Sequence, residues 1–135
     1  MVQLTGSRAS DVLPAWHISV WLPAVAATTD MRSVLFRGLS DQSRLVLIEQ
    51  LARGDQHVSA LAQTTGLSQP NVSKHLSCLW DCGLVERERR GREIHYRLVP
   101  GLTALLSTAD TVLSSTGERV LACPRFGRQA QRPAA

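Results

Sequence analysis

Along most of this chain, apolar residues return every third or fourth position in short runs, each bracketed by a capping residue and a helix breaker. The first run places Val34, Leu35 and Leu39 on the inward face of a helix that Thr29 or Asp30 can cap. Ser40-Asp41 opens a second helix, with Leu45, Ile48 and Leu51 in register and Gly54 at its end. A short third helix, from about Ser59 to Thr65, buries Leu61 and stops at Gly66. Ser68 is a good N-cap for a fourth, and Pro70 is tolerated there because first-turn amides have no intrahelical partner. Val72, Leu76 and Leu79 carry that helix to Gly83. The period then drops to two: Leu84 to Glu88 and Glu93 to Val99 read as strands, joined by the tip Arg89-Arg90-Gly91-Arg92. Pro100-Gly101 breaks the second strand, and Leu102, Leu105, Leu106, Ala109, Val112 and Leu113 form one stripe of a final helix.

These elements predict a mainly α fold with a small β-hairpin. A helix, a tight glycine-containing turn and a second helix with a polar N-terminal face make a helix-turn-helix, and the hairpin after it supplies a wing. The stripe on the last helix is long for so small a body, so it is expected to pair with its copy, giving a dimer through the first and last helices. Residues 1–28 are expected to form an N-terminal extension, an extra helix or flexible arm. Residues 29–116 form the winged helix-turn-helix, and residues 117–135 a tail. The apolar stretch from Val12 to Ala27 is interrupted by Pro14, His17 and Pro23 and preceded only by Arg8. It therefore reads as an extra helix or packing arm, or a partly disordered leader, rather than a cleaved signal, and is too short and broken to span a bilayer.

Composition supports one modest core: 44% of the residues are apolar, but only three Trp, two Phe and one Tyr are aromatic. Fifteen Lys and Arg against eleven Asp and Glu leave a net charge of +4, which favours a polyanionic partner. Where the charge sits matters more. In helix-turn-helix proteins the N-terminal turns of the second helix meet base edges. Here those turns hold Ser68, Gln69, Asn71, Ser73, Lys74 and His75. Gln and Asn can pair with adenine, while Lys and Ser reach guanine or phosphate. Arg89, Arg90 and Arg92 at the wing tip suit backbone contacts. Singly, each is also an ordinary solvated residue; the order of the elements makes double-stranded operator DNA the expected partner.

Three cysteines, Cys78, Cys82 and Cys123, cannot close a disulfide framework within one chain, so a reducing cytoplasm is the natural setting. Cys78 and Cys82 are four residues apart and face one side of the reading helix a turn apart. Two thiolates so placed can grip one ion, and sulfur selects Cd(II), Pb(II), Hg(II), Zn(II) or Cu(I) over hard cations. Buried, inert thiols are the competing reading of the same spacing. His17, His57, His75 and His95 read as surface or DNA-facing side chains. No nucleophile–base arrangement, phosphate loop or HExxH is present, so no enzyme is expected.

The run Leu39-Ser40-Asp41-Gln42-Ser43-Arg44-Leu45 resembles the entry motif of the ArsR/SmtB family of metal-responsive repressors. Ser68-Gln69-Pro70-Asn71-Val72-Ser73-Lys74-His75-Leu76 is similar to that family's recognition helix, and Gly83-Leu84-Val85, Arg90-Gly91-Arg92 and Tyr96-Arg97-Leu98 to its wing. Trp80 departs from the pattern, since the family often has an arginine there that contacts phosphate. His57-Val58-Ser59 replaces the Cys-x-Cys that serves as a metal site in some members, and the last helix lacks the Asp/His set of others. Leu76-Ser77-Cys78-Leu79-Trp80-Asp81-Cys82-Gly83 resembles the cadmium- and lead-sensing members, which also carry a third cysteine in the tail. The resemblance implies a dimeric repressor released from DNA by Cd(II) or Pb(II) at Cys78, Cys82 and Cys123, the last donated by either subunit. A mercury-responsive or thiol-redox repressor of the same fold uses the same residues.

Overall fold

A computed structural model describes residues 15–128. The elements run α1 (Ala15–Leu39), α2 (Gln42–Leu51), β1 (Gln56–His57), α3 (Val58–Thr65), α4 (Gln69–Asp81), β2 (Val85–Arg90), β3 (Glu93–Leu98) and α5 (Leu102–Leu121). The chain divides into two compact units, Met1–Leu45 and Val46–Ala135.

In the first unit, the Ser40-Asp41 corner closes as its residue types require. Asp41 Oδ1 accepts the Arg44 N–H at 2.9 Å and so caps the start of α2. Arg44 Nε donates to the Gly38 carbonyl at 2.7 Å, and Ser40 Oγ to the Arg37 carbonyl at 2.8 Å, satisfying acceptors that the end of α1 leaves open. The Leu-Ser-Asp-Gln-Ser-Arg-Leu motif is thus a reciprocal cap for two helix ends. α1 runs without a break through position 28/29, so the expected cap at Thr29 or Asp30 does not form. The Ala24-Val25-Ala26-Ala27 stretch before it is helix-compatible, which lets the extension and the first helix merge into one element.

The second unit holds a core of Leu47, Ile48, Leu51, Leu61, Val72, Leu76, Leu79, Val85, Tyr96 and Leu102. Most are the apolar positions picked out by helical spacing, plus one inward residue from each hairpin strand; on α2, Leu47 is buried where Leu45 was expected, and Leu45 is half-buried. α3 packs on α4, and α4 on β2. The sheet order is β1-β3-β2, all antiparallel, with Arg90 opposite Glu93 across a two-residue loop. β1 is a strand the periodicity could not predict, because two residues carry no alternation. It pairs Gln56 with Tyr96 and His57 with His95, tying the wing to the helix-turn-helix.

The junctions of α4 position the site. Ser68 Oγ accepts the Asn71 N–H at 3.3 Å, and Pro70 falls within the first turn. At the other end Gly83 takes φ +75°, with its N–H bonded to the Trp80 carbonyl at 3.0 Å and the Leu84 N–H to the Leu79 carbonyl at 2.9 Å. This left-handed cap turns the chain from the reading helix directly into the wing.

α5 also runs past its expected end at residue 116, through Gly117 to Leu121. One glycine costs a helix only about 1 kcal/mol relative to alanine. The breaker that matters is Pro124, and the turn following it is closed: Gly127 N–H donates to the Cys123 carbonyl at 2.8 Å and Arg128 N–H to the Leu121 carbonyl at 2.9 Å. A Cβ on Gly127 would stand 2.5 Å from both of those carbonyl oxygens, so only glycine fits.

Candidate nucleic-acid interface and thiolate pair

Helical spacing sorts the side chains of α4. With Val72, Leu76 and Leu79 turned into the core, Gln69, Ser73, Ser77 and Trp80 recur at i, i+4, i+8 and i+11 on the exposed side, beside Lys74. Asn71 and His75 lie half-buried on the flank, in line with Cys78 and Cys82. Of the residues expected to read DNA, Gln69, Ser73 and Lys74 are therefore open, Asn71 and His75 are partly covered, and the Ser68 hydroxyl is occupied as the cap.

The wing arginines divide in a way the sequence does not reveal. Arg90 Nη2 pairs with Asp55 Oδ2 at 2.9 Å and with Glu88 Oε2 at 3.3 Å, so part of its charge is neutralised inside the molecule. Arg97 Nε donates to Glu86 Oε2 at 2.7 Å, a bond that holds its guanidinium above the ordinary arginine range. Arg89 Nε bonds the Gly91 carbonyl at 3.3 Å, which shapes the loop without using up charge, and Arg92 is exposed. Arg87 was not among the expected contacts, yet its Cζ lies 4.2 Å from the centroid of the Trp80 ring. Only the departure at Trp80 hinted at something unusual there.

Two histidines have structural tasks. His57 Nδ1 accepts the Ala60 N–H at 2.9 Å, capping α3, so its proton sits on Nε2, which faces Glu93 Oε1 at 3.3 Å. His95 Nε2 faces the other oxygen of Glu93 at 3.3 Å, and the two rings meet edge to face, 5.4 Å between centroids. One carboxylate thus bridges the start of α3 and strand β3.

None of the three cysteines is in a disulfide. Cys78 and Cys82 are both exposed on the last turn of α4, and Cys82 is the C-cap in helical conformation (φ −80°, ψ −7°) with its N–H bonded to the Cys78 carbonyl at 3.1 Å. Helical geometry is preserved across the pair, so the two side chains project from one face with about 5–6 Å between Cβ atoms. Cys123 is half-buried in the turn after α5. Its thiol is held below the ordinary cysteine range, first by the Phe126 N–H, then by that of Arg125 and, more weakly, Gly127, with burial opposing. Among the described residues, no three His, Cys, Asp or Glu side chains of one chain gather into a metal-binding group. Cys123 is not brought to the other two within a single chain.

Amide donors favour the thiolate, so Cys123 loses its proton at lower pH than an unperturbed thiol. In a chain carrying both Cys78→Ser and Cys82→Ser, the iodoacetamide rate at Cys123 is expected to rise through a midpoint below that of free cysteine. A midpoint at or above it would show that the tail turn does not hold in solution.

Residues 41–87 match the model of the family described as bacterial regulatory protein, arsR family. Over 130 residues, 96% of this chain and 95% of the relative, the sequence is 30% identical to a "Probable mercury resistance operon repressor" of Streptomyces lividans. The chain belongs to the arsR family. As a member it is a DNA-binding transcriptional repressor with a winged helix-turn-helix. It is also 42% identical over 64 residues to the HTH-type transcriptional regulator CmtR of Mycobacterium tuberculosis, covering 47% of this chain and 54% of that one. Among solved structures it resembles the homodimeric winged helix-turn-helix DNA-binding domain of a "possible ArsR-family transcriptional regulator" from Mycobacterium bovis. That match has a TM-score of 0.59 at 30% identity and covers 70% of this chain and 87% of that one. No helix among the described residues of this arsR-family protein is long and apolar enough to cross a membrane.

Proposed function

We propose that this arsR-family protein is a homodimeric repressor that leaves its operator when the thiolates of Cys78 and Cys82, joined by Cys123, take up Cd(II) or Pb(II). The observation that carries this reading is the placement of two exposed thiols one turn apart on the helix whose opening turns present Gln69, Ser73 and Lys74. The donor set suits a soft ion, since sulfur ligands favour thiophilic metals over hard cations. Cys123 would complete the site from the partner subunit or by movement of its own tail. A reducing cytoplasm would keep all three as thiols rather than disulfides.

Release follows from linkage. Ligands and reading face share one helix, so a tail drawn onto α4 disturbs the seat of that helix in the groove. Three thiolates around a divalent ion also leave a net negative charge near DNA phosphate. Operator must then weaken ion binding by the same factor.

Dimerisation through α1 and α5 is part of the proposal. Each helix leaves large apolar side chains exposed in the single chain: Met31, Val34 and Phe36 on α1, and Val112, Leu113 and Leu121 on α5. Such surface usually marks an interaction site.

A second reading takes Hg(II) as the inducer. The match to the Streptomyces mercury repressor along nearly the whole chain favours it, and Hg(II) needs only two thiolates, the number that one helix supplies. The reduced protein is to be titrated with Cd(II), Pb(II), Hg(II) and Zn(II), following thiolate charge-transfer absorbance and operator binding together. Saturation by Cd(II) or Pb(II) with parallel loss of the complex is the expected result. Release by Hg(II) alone would establish the second reading, and release by none would overturn both.

A further inference from the structure

The Trp80–Arg87 contact is absorbed by neither the reading helix nor the thiolate pair. Trp80 is the last member of the exposed row Gln69, Ser73, Ser77, Trp80 and is 38% accessible. Arg87 is exposed on β2, at the root of the wing rather than its tip, and its guanidinium carbon lies over the indole at 4.2 Å. The carboxylates on either side of it are engaged elsewhere: Glu86 with Arg97, Glu88 with Arg90 and Arg97. Among the described residues no carboxylate pairs with Arg87. It is thus a cation with no ion-pair partner, held by the face of a ring at the junction of reading helix and wing.

That is how a phosphate contact is pre-organised. An aromatic ring attracts a guanidinium electrostatically and limits its motion. The in-plane N–H donors stay available for a bidentate bond to phosphate oxygens. A paired arginine would first have to break its ion pair, as Arg90 must with Asp55.

We propose that Arg87 contacts the DNA backbone, extending the interface from the row on α4 to the base of the wing, and that Trp80 is the positioning residue for this contact. The inference depends only on DNA binding, not on the metal reading, so its test is run in chelator without added metal.

The probe is a short duplex selected by the wild-type chain from a random pool, and affinity is measured as a function of salt. Each phosphate contact contributes about 0.9 to the slope of log K against log salt, or about fivefold in affinity at about 0.15 M. Arg87→Ala is expected to lower the slope by about that amount per subunit and weaken binding evenly across sequences. Arg87→Lys, which keeps the charge, should restore most of the slope. Trp80→Leu should weaken binding, whereas Trp80→Phe, which keeps a ring, should recover it. An Arg87→Ala variant with unchanged slope and unchanged secondary structure by circular dichroism overturns the contact. Wild-type affinity in Trp80→Leu overturns the positioning role.

Discussion

Cys78→Ser and Cys82→Ser chains are expected to fold and to bind operator about as tightly as wild type, because both side chains are exposed at the C-terminal end of α4, away from Gln69, Ser73 and Lys74, and surface substitutions rarely change stability by more than about 0.5 kcal/mol. They are expected to lose release by metal altogether. In the wild type, a coupling of about 1–3 kcal/mol, about 5–150-fold in operator affinity, is ordinary for two linked sites. Serine preserves size and helix compatibility but removes the soft donor, so the pair can no longer hold the ion in two-point contact. Fluorescence anisotropy of labelled operator with and without Cd(II), Pb(II) and Hg(II) reads both quantities in one experiment. If either serine variant is still released at wild-type metal concentrations, the thiolate pair is not the sensor, although the DNA-binding assignment stands. Cys123→Ser separates the two inducer readings: it should abolish the response to Cd(II) and Pb(II), and leave that to Hg(II) if two thiolates suffice.

The second large effect concerns the packing behind the reading face. Leu76 is fully buried on the inner side of α4, between the cap at Ser68 and the thiolate pair. Leu76→Ala should remove about 2–5 kcal/mol of stability, the lost burial plus the cavity left behind. In urea this appears as a lower midpoint with an unchanged slope, measured at fixed protein concentration because dimerisation adds to apparent stability. Ser77→Ala, one residue away on the exposed face, should move the midpoint little. Equal and small shifts for both variants would show that α4 is not seated by this face. The orientation of Gln69, Ser73 and Lys74 would then have no structural basis.

Much of the local geometry of the candidate site is legible in the sequence. Ser68, Pro70 and Gly83 are punctuation that the backbone must obey, so the limits of the reading helix follow from residue type. The spacing of Val72, Leu76 and Leu79 then decides which side faces outward. Cys78 and Cys82 share a face for the same reason. Boundaries were less legible where two signals compete. Gly117 looked like a helix stop, but the residues after it continue the helix and the turn at Gly127 closes the end. Asp30 looked like a start, but the preceding alanine-rich stretch was already helical.

What the sequence determined by itself is therefore local: element types, the caps at Asp41 and Ser68, the inward and outward faces of the reading helix, and the family to which those motifs belong; on the first helix Leu39 is buried as expected, but Val34 is exposed. These depend on residues a few positions apart, whose geometry is set by backbone hydrogen bonding. Only the tertiary structure decided which wing arginines are paired with a carboxylate. It joined Arg90 to Asp55, 35 positions away, and laid Arg87 on Trp80. It also paired the two residues of β1 with β3 and bridged His57 to His95 through Glu93. Such contacts depend on strand register and chain crossing, and no period in the sequence encodes them. Whether a cation is available to DNA depends on which carboxylate the fold has placed beside it.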